Sequence, residues 1–135
     1  MRSDDLGKLL LRLTLGGLLL LHGIAKLMKG VDGIMGMVAS AGFPAQLGYL
    51  VYLGEVVAPL LVIIGVLTRP AALVIAINMV VAVLLVHMKQ LFLLNPQTGA
   101  WALELQAFFL LTALAIALLG PGAIRLGGRS NRFWA

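Results

Sequence analysis

The stretch LLLRLTLGGLLLLHGIAKLM, residues 9–28, decides the reading of this chain. About 20 apolar residues in an α-helix cross a hydrocarbon core of about 30 Å, and this stretch is that long and almost wholly apolar. Its exceptions are Arg12, His22 and Lys26. A charged side chain at the centre of a bilayer costs about 2.5–3.5 kcal/mol on insertion scales. The three are therefore expected to point toward packed protein rather than lipid. At about 100° per residue, Arg12, Gly16, Leu19, His22, Gly23 and Lys26 share one broad face. Gly16 and Gly23 allow a neighbouring helix to come close there.

The composition agrees. Of 135 residues, 61% are hydrophobic and 11% charged, and the mean hydropathy is +1.08. Soluble domains carry about 25% charged residues, so the chain reads as a single integral membrane domain. The net charge of +5 comes with no basic, aromatic-interleaved face, which excludes a nucleic-acid partner. The absence of cysteine excludes thiol–disulfide chemistry and cysteine-ligated metal. The first apolar run ends in HGIAKLMKG without an A-x-A-like cleavage site, so it reads as a retained helix rather than a signal peptide.

Three further apolar segments follow at 46–67, 70–89 and 100–120. Pro70 suits the first turn of the third, and Gly120-Pro121-Gly122 ends the fourth. Thr68-Arg69 leaves only a tight turn between the second and third. Between the first two, Ile34, Met37, Val38 and Ala41 are helically spaced, which suggests a short interfacial helix. Asn95-Pro96 and Gly99 signal a turn before the fourth. Arg2, Lys8, Arg12, Arg69, Arg125, Arg129 and Arg132 fall on one side, against Lys26, Lys29 and Lys89 on the other. That excess places both termini in the cytoplasm. Tyr49, Tyr52 and Trp101 then fall near the outer interface, and Phe133 and Trp134 near the inner one.

With about 1.5 Å rise per residue, His22, Glu55, His87 and Glu104 all come within about 5–14 Å of the outer boundary. Four helices each contribute an ionisable group to one layer. Pro59 has no N–H to offer the carbonyl of Glu55, so the second helix should kink beside its carboxylate and leave a backbone acceptor in need of a partner. Asn78 and His87 are nine positions apart and face opposite ways; His87 is assigned to the outer cavity and Asn78 to interhelical hydrogen bonding. Glu55 needs a partner, either a structural one (His22, Lys26 or Arg12) or a ligand or proton. His87 and Glu104 also suit interfacial solvation. Lys26, Lys29 and Lys89 suit snorkelling anchors, and the cytoplasmic arginines, Arg12 and Arg69 included, read as topology signals. His22, Glu55, His87 and Glu104 could in principle hold a transition metal, but no helix carries a ligand spacing and no metal is expected. No phosphate-cradling or dinucleotide motif is present.

The pieces RLTLGGLLLLHGIAKL, AGFP, GEVVAPLLVIIGVLTRPAAL and VHMKQLF, then a glutamate and LLGPG in the fourth segment, resemble the DoxX family of small four-helix membrane proteins. The resemblance covers most of the chain. The family includes the small subunit of a thiosulfate:quinone oxidoreductase, and its members are described as membrane partners of redox, stress or detoxification systems. The resemblance implies ligand- or quinone-binding roles for Arg12, His22, Lys26, Glu55, His87 and Glu104. The expected protein is an all-α, four-helix transmembrane bundle in a prokaryotic cytoplasmic (inner) membrane. It would bind a quinone or similar lipophilic molecule in an outer-half polar cavity. It has no intrinsic cofactor, so electrons would come from a redox partner protein; it could also form a homo-oligomer. Two other classes stand beside this reading: a non-enzymatic anchor or assembly partner, and a small-solute or proton carrier.

Overall fold

The computed structural model describes residues 3–87, 93–94, 96–99 and 103–124, without the side chains of residues 86 and 87. Helix α1 (Ser3–Lys29) begins with Asp4 and Asp5 and ends with Lys26 and Lys29. Those charges complement the helix dipole at both ends. Helix α2 (Asp32–Ser40) is the expected short helix. Its packed side is Val31, Ile34 and Val38, while Met37 and Ala41 are exposed, so the apolar spacing located the helix better than its face.

Helix α3 (Ala45–Ile64) changes its hydrogen bonding along its length. A 3₁₀ stretch, Ala45–Tyr49, leads through Leu50–Tyr52 into a π-helical segment, Leu53–Val57, and then into regular α-helix, Ala58–Ile64. The Ala58 N–H donates to the carbonyl of Leu53, five residues back. The expected irregularity at Pro59 therefore takes the form of a wide turn just ahead of the proline. Such π segments are rare, and this one contains Glu55. α3 ends earlier than expected. Gly65 adopts φ 80° and its N–H closes on the Leu61 carbonyl at 2.9 Å, as a left-handed C-terminal cap does. Gly65–Leu67 is thus the turn, and Thr68 and Arg69 open helix α4 (Thr68–Ala82), with Pro70 in its first turn. A second π segment, Val83–His87, continues α4.

Helix α5 (Glu104–Leu119) ends at Gly120-Pro121-Gly122 as expected. Among the described residues its start lies later than the expected 100. Among the described residues three helices are long and apolar enough to cross a membrane, and α5 is a shorter apolar helix of 16 residues. Pro96, Gln97 and Thr98 form the expected turn. Arg2, Lys89, Asn95, Trp101, Arg125, Arg129, Arg132, Phe133 and Trp134, to which the sequence assigned topology, turn or interface roles, lie outside the described residues.

The core draws on every long helix: Leu15 and Leu19 of α1, Ala58 and Val62 of α3, Ala72 and Ile75 of α4, Ala113 and Ile116 of α5. α4 packs most extensively on α5, and α1 on α3. The α1–α3 contact depends on the two glycines. A Cβ on Gly23 would lie 2.0 Å from the Glu55 carbonyl oxygen, and one on Gly16 would lie 2.5 Å from Ile63 Cγ1. The carbonyl deprived by Pro59 is therefore tucked against the bare backbone of Gly23. One end of the molecule, which holds residue 3 and Thr68, is clamped by Arg12, which is 1% exposed. Its Nε donates to the Val62 carbonyl at 2.9 Å, Nη2 to Ile63 at 2.9 Å, and Nη1 to Pro121 at 2.9 Å and to Ile124. The Arg69 Nη1 donates to Ala117 and Leu118 at 3.4 and 3.3 Å. Helix C-termini leave carbonyls without partners, and these two arginines cover those of α3 and α5. Arg69 is more than a topology signal.

Gly23→Ala should lower the thermal stability of the detergent-solubilised protein by on the order of 1–3 kcal/mol, the usual cost of overpacking. Gly17→Ala, where nothing lies within 4 Å, should be neutral or slightly stabilising. Melting curves of both variants decide it; equal effects would mean that α1 and α3 do not meet at Gly23.

Candidate functional site

The polar layer forms around Glu55. Its side chain is brought inward by the π turn of α3 and is 3% exposed. Lys26 Nζ of α1 donates to Glu55 Oε2 at 2.6 Å. Asn78 Nδ2 of α4 donates to the same oxygen at 3.1 Å. Three helices therefore meet on one carboxylate oxygen. A Cβ on Gly54 would lie 2.5 Å from Asn78 Cβ, so the glycine beside Glu55 is what lets Asn78 come this close. Tyr52 of α3 donates its hydroxyl to the Lys26 carbonyl at 3.2 Å, which ties the Lys26 backbone to the same group.

Of the partners considered for Glu55, the structure selects Lys26 and adds Asn78. Lys26 is thus no simple snorkelling anchor; its side chain is one-third exposed and its ammonium turns inward. Asn78 makes the interhelical hydrogen bond assigned to it. Arg12 lies fourteen residues before Lys26 along α1, about 21 Å away at 1.5 Å per residue, and belongs to the carbonyl clamp. Glu104 is the exposed first residue of α5. His87 closes the second π segment, and its side chain lies outside the described residues. His22, Glu55 and Glu104 do not converge as metal ligands; among the described residues no three such side chains do.

His22 departs from the expectation that it faces packed protein. It is exposed, on the α1–α5 seam. Its Nδ1 lies 2.9 Å from the Leu18 carbonyl oxygen one turn back. Its ring meets Phe109 of α5 edge-to-face, with centroids 5.5 Å apart at 89°. The expected outer cavity wall is therefore divided. Lys26, Glu55 and Asn78 form a buried hydrogen-bonded knot, and His22 stands beside it on the surface. A separate cleft of about 190 Å³ opens between α4 and α5, lined by Val83, Leu84, Leu103 and Leu110 with Gln106. Val80 also lines it and lies nearly opposite Asn78 on α4, so the cleft faces away from the knot.

Chemically, the knot places an ammonium, a carboxylate and an amide where little water enters. A buried carboxylate is stable only when it is paired and hydrogen-bonded, and Lys26 and Asn78 supply both conditions here. Tyr52 and Asn78 complete the arrangement. Sequence reasoning read the first as an interface aromatic and kept the second out of the site. An amide inside an apolar helix was the available signal for Asn78; nothing in the sequence marked Tyr52.

The DoxX family model matches residues 7–88, which include Lys26, Glu55 and Asn78. The chain is also similar to the protein named "Putative oxidoreductase CatD" of Bacillus subtilis (strain 168), with 29% identity over 125 residues, covering 93% of this chain and 87% of the relative. No solved structure matches it.

Lys26→Met should leave Glu55 buried with Asn78 alone and cost on the order of 3 kcal/mol. Adding Glu55→Gln to that variant should recover part of the loss, because no charge is then stranded. A double-mutant cycle read by thermal melting measures the coupling; additive losses would show that the pair does not interact.

Proposed function

The chain belongs to the DoxX family, and on that premise we propose that it is a membrane subunit of a redox or detoxification system that binds a quinone or similar lipophilic molecule at the Lys26 end. The observation that carries this reading is the polar knot on Glu55 beside an exposed histidine, inside an otherwise apolar set of helices. Intramembrane ionisable residues mark ligand or proton sites by default. The relative's printed name points to redox chemistry as well. Conversion of a quinone to a hydroquinone takes two electrons and two protons. In this reading a partner protein supplies the electrons, and this chain supplies the binding surface and proton-exchanging groups.

In this proposal His22 and Lys26 meet the ligand. Glu55 serves as the proton reservoir, and Asn78 fixes its orientation. His87 and Glu104 connect the site to outer water. Arg12 positions α1 against α3 without touching ligand. Both termini lie in the cytoplasm of a prokaryotic inner membrane, with the four helices as a transmembrane bundle that surrounding lipid covers.

The test is extraction and mass spectrometry of small molecules from gently purified protein. A quinone near one equivalent is expected in the parent protein, with its loss in His22→Ala at a retained melting temperature and its loss in Glu55→Gln at a lowered one, since that change removes the Lys26 partner. A protein that comes out empty, with both variants changing only its stability, would favour the anchor or assembly role.

A further inference from the structure

We propose that His22 reads the redox state of the ligand and selects the hydroxyl-bearing form, a lipid-soluble hydroquinone or phenol, by accepting its O–H at Nε2. This rests on the quinone-class reading of the site and specifies which form is held.

The argument begins with a backbone carbonyl. The Leu18 oxygen only accepts hydrogen bonds, so the His22 Nδ1 at 2.9 Å must carry the proton. In a neutral ring that tautomer presents a lone pair at Nε2. The bond to Leu18 and the edge contact with Phe109 both fix the ring, so it cannot readily turn to exchange its nitrogens. Nε2 has no partner among the described residues. The ring stands exposed between Leu18 and Leu21, which are also exposed. A polar atom facing hydrocarbon without a partner is unfavourable. An acceptor set among exposed leucines suits a donor that dissolves in hydrocarbon, and a phenolic O–H is such a donor.

Glu55 does not fill that role. It is 3% exposed and its Oε2 already accepts from Lys26 and Asn78. Lys26 is one turn along the same helix from His22, which makes the two side chains neighbours. Its ammonium carries three donors and uses one on Glu55. One turn of α1 thus carries an acceptor at His22 and a donor at Lys26. A hydroxyl answers both, donating to His22 and accepting from Lys26. A quinone carbonyl only accepts, and would set its lone pair against that of Nε2.

The experiment uses the purified full-length protein in lipid nanodiscs, kept anaerobic. The probes are a short-chain hydroquinone, its quinone, and the dimethyl ether of the hydroquinone, which has the same shape and no O–H. The parent protein should bind the hydroquinone at least about threefold to tenfold tighter than either other probe, the range of one net hydrogen bond. His22→Phe, which keeps an aromatic ring against Phe109, should erase that preference. As a readout independent of any variant, the ¹⁵N resonance of the unprotonated His22 nitrogen should shift with hydroquinone and not with the ether. Tighter binding of the quinone, dependent on His22, would leave the proposed site in place and overturn the selection of the hydroxyl form. Equal binding of all three probes, or a resonance that already shows a donor from a second copy of the chain, would overturn it too. Failure of every probe to bind would overturn both this inference and the quinone-class reading.

Discussion

A carboxylate placed among apolar helices is the constraint on which the rest of this molecule depends. An ionised group in a low-dielectric medium is stable only when paired and hydrogen-bonded. Glu55 meets that condition through Lys26 at 2.6 Å and Asn78 at 3.1 Å. Because those partners come from α1 and α4, the requirement of one side chain becomes a constraint on three helices. Apolar side chains slide past one another at little cost, since lipid solvates them as well as protein does. A shared carboxylate oxygen does not slide. It sets the rotation and register of α1, α3 and α4 together.

Close approach makes this geometry reachable. The π turn over Leu53–Val57 carries Glu55 inward ahead of Pro59. Its carbonyl comes to rest where Gly23 has no side chain, and the neighbouring Gly54 admits Asn78. The proline, the wide turn and the two glycines act on one short length of α3. At the opposite end the problem is carbonyls rather than charge. Arg12 and Arg69 donate to the ends of α3 and α5, and Arg12 also reaches the chain beyond Gly120-Pro121. One end of the structure is thus held by a cation on a carboxylate and the other by cations on backbone oxygens.

Separation of the knot from His22 gives the site two kinds of group. The buried set holds charge, while the exposed ring meets whatever the bilayer carries. That division suits a small membrane subunit without its own electron carrier. Its contribution would be to hold a lipophilic molecule and handle protons while another protein moves the electrons.

Much of this was legible in the residues themselves. The apolar runs of about 20 residues required helices, and Gly120-Pro121-Gly122, Pro70 and the spacing of Ile34 and Val38 marked ends, starts and a short helix that the structure contains. Gly16 and Gly23 identified the face of α1 that meets α3, because absent side chains at helical spacing permit contact whatever the partner is. Pro59 announced an irregularity at Glu55, since a missing N–H is a local covalent fact. The turn at Gly65–Leu67 was misplaced by a few residues, because hydropathy runs on through a left-handed cap that only backbone geometry reveals. Partner choice lay beyond the sequence. His22, Lys26 and Arg12 lie on one broad face and all were admissible for Glu55. The rotation of α1 against α3 gave Lys26 to the carboxylate, Arg12 to the carbonyls and His22 to the surface. Periodicity within a helix is determined by its own residues, but the direction in which a face points is decided by the helices packed around it.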